Sequence, residues 1–498
     1  SPISSSRSSS TGCDPARADM RFVVIGAGMA GVLSAVKLRE AGFTDVAVYE
    51  KADRLGGTWR ENTYPGIACD VPSHLYTYTF APNPEWSHTF APGPEILAYF
   101  QSVAHRYGVD GLIQYGTEVR RLQYDGTRWR IETSTGERDE ADVVIAATGV
   151  LHHPRYPDID GLDEFAGRVF HSARWDHRAP LAGARVGVVG TGSSAVQITG
   201  AITDVVGELR LFQRTPQWIL PVQNPAIDDG DRARYRANPA ALTALRDELN
   251  TGFIQNFANA VVDADSAALK TLQAAACANL EDNVADPGLR DKLRPDYRAG
   301  CKRLIISPTF YDAIQRPNAH LVTEPIARVE ADGVRTRDGE LHRLDVLVLA
   351  TGFRVDRFLR PIEVVGRGGV RLDEVWGRRP FAYLSVSVPD FPNLFMLNGP
   401  NGPVGNFSLI DVAEAQFAYL IQLIELLRDG ACRQISAGRE ATTRFEADRV
   451  QAAKKTVWVT GCRSWYLDDR GVPVAWPWSF SRFREVMARP SLADYELV

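Results

Sequence analysis

Two charged residues, Glu50 and Arg214, hold matching places in two similar stretches of this chain, and each suits a different task. Glu50 ends the apolar run DVAVYE beyond the turn GAGMAG. Arg214 ends LRLFQR, as far beyond Gly190 of the turn GTGSSA as Glu50 is beyond Gly26. A carboxylate at the end of the strand after such a turn accepts hydrogen bonds from ribose hydroxyls. A guanidinium in the same corner pairs through charge-assisted hydrogen bonds with a 2′-phosphate, which a carboxylate would repel. Two dinucleotides are therefore expected, the second of them NADP rather than NAD.

The elements that must position these residues are legible around them. An apolar run from Phe22 to Ile25 leads into the first turn, and a helical pattern continues through Ala35, Leu38 and Ala41 to Gly42 as its C-cap. In that strand, turn and helix, Gly26 permits the tight turn, Gly28 lets the backbone approach a pyrophosphate, and Gly31 lets the helix pack closely on the strand. The helix N-terminus then faces the phosphates. The second unit repeats this with Gly190, Gly192 and, in the third place, Ala195. Ser193 and Ser194 open its helix and Thr215 follows Arg214, so these join the expected nucleotide contacts. Each unit also closes alike, ADVVIAATG at Gly149 and LDVLVLATGF at Gly352. The duplication resembles that of two-dinucleotide flavoprotein oxidoreductases, which implies an α/β fold with two Rossmann-like domains, the first for FAD and the second for NADP.

Between the turns lies FAGRVFHSARWD. Its Phe165, Gly167, His171, Trp175 and Asp176 fill each fixed position of F-x-G-x-x-x-H-x-x-x-W-[PD], the fingerprint of Baeyer–Villiger monooxygenases. A second stretch, GGTWRENTYPGIACD, resembles another pattern of that family through Gly56, Gly57, Trp59, Tyr64, Pro65, Gly66 and Asp70. The resemblance runs from about Arg21 to the C-terminus and is strongest to the phenylacetone monooxygenase branch. It implies that Gly57, Thr58 and Trp59 contact FAD, that Tyr76 lines the same wall, and that Asp70 sits near the flavin ring, paired with an arginine. In CKRLI, Lys302 would add a second cation at the 2′-phosphate and Arg303 would reach flavin and nicotinamide. In CRSWYL, Trp465 and Tyr466 would fold over the nicotinamide. The implied reaction is reduction of FAD by NADPH, addition of dioxygen, and attack of the resulting peroxide anion on a ketone, whose tetrahedral oxyanion rearranges to an ester or lactone. Arg303, fixed by Asp70, would stabilise both anions. An N- or S-oxygenating flavin monooxygenase, which needs an electrophilic hydroperoxide, remains the alternative. A flavin reductase that oxygenates nothing is a more distant one.

The whole chain fits this reading. Its 498 residues carry 56 Lys plus Arg against 61 Asp plus Glu, a net charge of −5, with no long run of one sign, so a nucleic-acid surface is not expected. Six cysteines, Cys13, Cys69, Cys277, Cys301, Cys432 and Cys462, show no C-x-x-C spacing. That disfavours a disulfide framework, a zinc or other metal site and a redox dithiol, and reads as reduced thiols in a cytoplasmic enzyme. No apolar stretch is long enough to span a bilayer. The expected division is a flexible serine-rich leader over 1–19, an FAD-binding domain from 20–150 and 353–498, and an NADP-binding domain from 151–225 and 301–352. A helical insertion over 226–300, shorter than in phenylacetone monooxygenase, would cover the substrate cavity. The last segment contributes a glycine-proline loop, GPNGPVGNFS, and an amphipathic helix from Asp411 to Arg428. Substrate class beyond a ketone and oligomeric state are not legible.

Overall fold

The computed structural model describes residues 20–498; the expected leader over 1–19, with Cys13, lies outside them. Two five-stranded sheets, each parallel throughout, organise the chain. The first runs in the order Leu394–Met396, Val143–Ala146, Phe22–Ile25, Val46–Tyr49, Ile113–Gln114, so the chain returns to it after Gly352. The second runs Ala319–Val322, Glu208–Phe212, Arg185–Val189, Val346–Leu349, Arg168–His171. Strands Phe22–Ile25, Val46–Tyr49, Val143–Ala146 and Val346–Leu349 are buried along their whole length. Their unbroken apolar runs are what a sheet covered on both faces requires.

The fingerprint is therefore only partly a connection. Its first half, Arg168–His171, is an edge strand of the second sheet, with His171 in register beside Leu349. The second half turns through Ser172–Arg174 toward the first unit. Two antiparallel excursions had no clear sequence signal. Val119–Tyr124, Trp129–Thr133 and Arg138–Ala141 form a sheet with Glu363–Val365, and Ile326–Glu330, Gly333–Thr336 and Leu341–Arg343 form another.

The segment after Pro225 is helical, as its spacing predicts: Asp229–Ala237, Pro239–Phe253, Ala267–Asn283 and Pro287–Leu293. Each helix starts on a side chain that accepts a backbone N–H of its first turn, Asp228, Asn238, Ser266 and Asp286 respectively. Such caps satisfy N–H groups that would otherwise lack partners. The helices after the two glycine turns, Met29–Glu40 and Ser193–Ile202, start on Gly28 and Gly192 with no side-chain cap. Their first N–H groups have no side-chain acceptor.

Candidate functional site

Both glycine turns are built alike. Gly26 (φ +101°) and Gly190 (φ +116°) lie under the end of a neighbouring strand, where a Cβ would stand 2.6 Å from the Ala147 carbonyl oxygen and 2.4 Å from that of Ala350. These are the alanines of the two ATG closures. A Cβ on Gly31 would sit 1.8 Å from the Gly26 carbonyl, so the helix can press on its turn only as glycine. Gly28 faces Gly57 closely enough that a Cβ on Gly57 would come within 3.0 Å of its Cα, whereas a Cβ on Gly192 would meet nothing within 4 Å. Uncapped helix ends beside bare backbone are sites for phosphate oxygens.

Around the second turn the polar groups converge. The Thr191 hydroxyl donates to the Thr215 carbonyl at 2.6 Å, which holds the chain beside Arg214. Ser194 lies within hydrogen-bonding reach of the Tyr64 hydroxyl. Tyr64 itself donates to Gln197 at 2.8 Å, and Gln197 donates to the Ala68 carbonyl at 3.0 Å, fastening the two nucleotide units together. Arg214 is exposed. Lys302 is held by the Arg463 carbonyl and lies over the Tyr297 ring. Burial, and then repulsion from Arg214, lower the Lys302 ammonium below its ordinary pKa. Two cations close enough to repel each other, neither in a salt bridge among the described residues although Asp296 acts on Lys302 from a distance, fit a doubly charged phosphate.

Around the first turn, Glu50 is buried, and its carboxylate accepts from Ala27 N and Ala52 N, both at 2.9 Å, with Arg60 3.0 Å away. Of roughly four acceptor positions on a carboxylate, one remains for a ribose hydroxyl. Gly57 opens the short helix Thr58–Glu61. Thr58 is exposed, while Trp59 is buried with its indole N–H 3.2 Å from the Tyr76 hydroxyl.

Asp70 and Arg303 meet as the family resemblance implies. Arg303 Nε donates to Asp70 Oδ2 at 3.1 Å, Nη2 donates to the same oxygen, and Nη1 donates to the Gly405 carbonyl at 3.1 Å. Deep burial works against the Arg303 charge, but Asp70 and Tyr466 outweigh it and hold the pKa above its ordinary value. The two side chains are still 30% and 31% accessible. The sequence places both Trp465 and Tyr466 at the nicotinamide, with no contact to Arg303 assigned to either. Yet the side chain that reaches Arg303 is the buried Tyr466, stacked between Trp465 at 4.1 Å and Trp458 at 5.1 Å. Gly405 and Tyr466 were missed as partners of Arg303 because nothing local links positions so far apart.

One expectation is overturned here. Cys301 and Cys462 are not reduced thiols but form a disulfide, with Cα atoms 6.1 Å apart. They lie 161 residues apart in sequence, so no short spacing announces them. They meet because the return from the helical segment packs against the C-terminal loop in a cluster with Val457, Trp458 and Tyr466. Reduced cysteines were the ground for a cytoplasmic reading, and that ground is lost for this pair.

The fingerprint residues act on backbone and core. His171 is fully buried; its Nδ1 accepts from Ala173 N at 3.1 Å, so Nε2 carries the proton and donates to the Gly352 carbonyl at 3.0 Å. That joins the fingerprint to the second ATG closure. Burial lowers the pKa of this imidazole and keeps it neutral. Trp175 packs edge-on against Phe170 at 5.0 Å, a Cβ on Gly167 would strike the Asp345 carbonyl at 2.4 Å, and Asp176 caps its own turn by accepting from Arg178 N at 3.0 Å.

The fit to a flavin rests on one further feature. Four buried polar atoms in the glycine-proline segment and the helix after it, Asn398 Oδ1, Asn406 Oδ1, Ser408 Oγ and Gln416 Nε2, have no partner in the protein. Each such group costs about 1–3 kcal/mol if left unpaired. The helix Leu409–Arg428 that starts beside them also lacks a side-chain cap. A heterocycle with several acceptors and donors suits this lining.

Residues 23–228 match the family model for pyridine nucleotide-disulphide oxidoreductases. The chain is 46% identical over 474 residues to an uncharacterized monooxygenase of Mycobacterium tuberculosis, with 95% of each chain covered. It is 43% identical over 484 residues to a Baeyer–Villiger monooxygenase of Streptomyces coelicolor, covering 96% of this chain and 93% of that one. Among solved structures, cyclohexanone monooxygenase from Rhodococcus sp. Phi1 bound to NADP+ superimposes with a TM-score of 0.85 at 32% identity, over 96% of this chain and 99% of the other. No helix among the described residues is long and apolar enough to cross a membrane. With the fingerprint, the paired nucleotide turns and these relatives in agreement, the chain belongs to the Baeyer–Villiger monooxygenase family of flavin-dependent enzymes.

Proposed function

We propose that this enzyme uses FAD and NADPH to insert one oxygen atom of O2 beside a ketone carbonyl, giving an ester or lactone. The observation that carries this reading is Arg303, clamped by Asp70 and the Gly405 carbonyl, contacted by Tyr466, and still partly accessible. When an oxygen nucleophile adds to a ketone, the carbonyl oxygen becomes an oxyanion. A guanidinium fixed before the reaction stabilises that charge without reorganising. Bound FAD supplies the electron transfer and the activation of dioxygen.

The other residues would hold and select the cofactors. Gly26, Gly28 and Gly31 with the open end of Met29–Glu40 take the diphosphate of FAD, Glu50 its ribose, and Gly57, Thr58, Trp59, Asp70 and Tyr76 the flavin side. Gly190, Gly192, Ser193, Ser194 and Thr215 take the diphosphate and ribose of NADPH, Arg214 and Lys302 its 2′-phosphate, and Trp465 with Tyr466 covers the nicotinamide. In this reading 20–150 and 353–498 carry FAD, 151–225 and 301–352 carry NADPH, and the helices of 226–300 border the ketone.

The test is stoichiometric. Purified enzyme with NADPH should consume one O2 per NADPH in the presence of linear, cyclic, aromatic or steroidal ketones, and yield products heavier by one oxygen. Oxygen insertion into amines or thioethers but no ketone would favour the N- or S-oxygenating alternative. NADPH oxidation with no oxygenated product would refute both.

A further inference from the structure

Arg174 occupies a variable place in the fingerprint, yet it joins this segment to the first nucleotide unit. Its guanidinium pairs with Oε2 of Glu61. The other oxygen of that carboxylate, Oε1, takes Nη2 of Arg60, and Nη1 of Arg60 lies 3.0 Å from Oε1 of Glu50. Charges of alternating sign thus run from the fingerprint to the carboxylate at the end of the first unit's second strand. The side chains are 45% accessible at Arg174, 15% at Glu61, 7% at Arg60 and 6% at Glu50. The inner charges are therefore shielded from salt and the outer one is not.

Arg60 stands between two carboxylates that compete for it. Its remaining anchor, the Arg54 carbonyl at 2.7 Å, is neutral. With Arg174 in place, two guanidinium groups balance two carboxylates, and Glu61 needs only half of its hydrogen bonding from Arg60. Without Arg174, Glu61 carries an uncompensated charge, draws Arg60 away from Glu50 and leaves a net negative field beside Gly28 and Gly57. That field opposes a diphosphate. We propose that Arg174 is a positioning residue: by occupying the outer oxygen of Glu61 it keeps Arg60 on Glu50, and so couples the fingerprint to the grip on FAD. The inference rests on FAD lying at Glu50.

The segment does not depend on Arg174 for its placement. His177 Nε2 lies 2.8 Å from the Thr63 hydroxyl, and His171 holds the Gly352 carbonyl, so an Arg174→Ala variant should fold. The measurement is the dissociation constant of FAD, read from the flavin fluorescence released on dilution of the holoenzyme. Arg174→Ala should bind FAD about three- to tenfold more weakly, the range for loss of one half-exposed ion pair coupled to a buried one. Arg174→Lys should recover most of that. In the double variant Arg174→Ala/Glu61→Gln the competing charge is gone, so FAD affinity should return to within about twofold of the parent. A segment that only tethers the two units would show no such rescue. Unchanged affinity in Arg174→Ala, or a double variant no better than the single, overturns the proposal. Glu50→Gln separates the two layers: if it weakens FAD binding while Arg174→Ala does not, the coupling is wrong and the cofactor's place stands. If Glu50→Gln itself has no effect, the cofactor's place is wrong and the coupling falls with it.

Discussion

Arg303→Ala removes a guanidinium with five N–H donors, three of which are committed to Asp70 and Gly405. Of the rest, Tyr466 engages part, and the side chain keeps 30% of its surface accessible to a developing oxyanion. One preorganised donor at such a place is worth about 2.7–4 kcal/mol, or roughly 10²–10³ in rate. The substitution also strands the Asp70 carboxylate. Losing the partner of a fully buried ion pair costs about 3–5 kcal/mol, but Asp70 is 31% accessible, so this is an upper bound and the variant should stay folded. Arg303→Lys keeps a charge but offers one nitrogen where the fork served two anchors, and should lose about tenfold. The assay separates the half-reactions: the variant is reduced anaerobically with NADPH, then mixed with oxygen and ketone, and ester is measured by mass. Arg303→Ala should bind FAD and bleach with NADPH yet give at least about a hundredfold less ester. Ester yield close to that of the parent would show that Arg303 is a bystander and refute the assignment of the reacting centre.

Arg214→Ala should shrink the preference for NADPH over NADH, expected at about ten- to a hundredfold from charge-assisted bonds of about 1.5–3 kcal/mol; equal reduction rates with the two cofactors in the parent enzyme would discard that role. His171→Ala strands the buried Gly352 carbonyl and should lower turnover while FAD is retained; loss of the flavin spectrum would assign His171 to FAD retention instead. Burial pushes the His74 imidazole down to about 4, against about 6.5 unfolded, so its contribution to stability is whole above pH 6.5 and is lost as pH falls toward 4, by about 3 kcal/mol. His74→Gln should flatten the fall of melting temperature over that window, and an unchanged slope would dismiss it. The Cys301–Cys462 link closes a loop 161 residues long, worth about 5 kcal/mol at most by loop-closure entropy. Cys301→Ser should melt several degrees lower and be indifferent to dithiothreitol, and equal melting of parent and variant with and without reductant would deny the link any stabilising role.

What could be read from the sequence was what is local in it. Gly26, Gly31 and Gly190 are required by contacts with residues of the same turn or the ATG closure, and Glu50 and Arg214 follow because strand length fixes where a strand ends. The helix expected from Asp411 begins at Leu409, a difference within the fraying of any helix end. The antiparallel excursions escaped notice because their strands are short and largely polar on one face. Arg60 looked like one more charged residue in GGTWRENTYPG, and only the fold reveals that it is buried between Glu50 and Glu61. The fingerprint was read as a connection because its alternation is hidden: Arg168 and Val169 are exposed on an edge strand, while Phe170 and His171 are buried.

The reacting centre has the opposite character, since Arg303 takes its partners from remote segments. Asp70 comes from the loop after the short helix Thr58–Glu61, Gly405 from the glycine-proline loop, and Tyr466 from the C-terminal loop. Three of these segments are joined to one another without Asp70. Cys301 is linked to Cys462, Tyr466 stacks on Trp458, and a Cβ on Gly405 would stand within 2.2 Å of the Tyr466 hydroxyl. Arg303 is therefore carried on a tied block, and Asp70 is the piece that arrives from the first nucleotide unit. If the units separate, the ion pair must break together with the Tyr64–Gln197 and Gln197–Ala68 hydrogen bonds. Losing the pair's mutual attraction opposes opening, so the arginine is oriented before any substrate enters. Orientation in advance is the condition under which a fixed charge lowers a barrier instead of following the reaction.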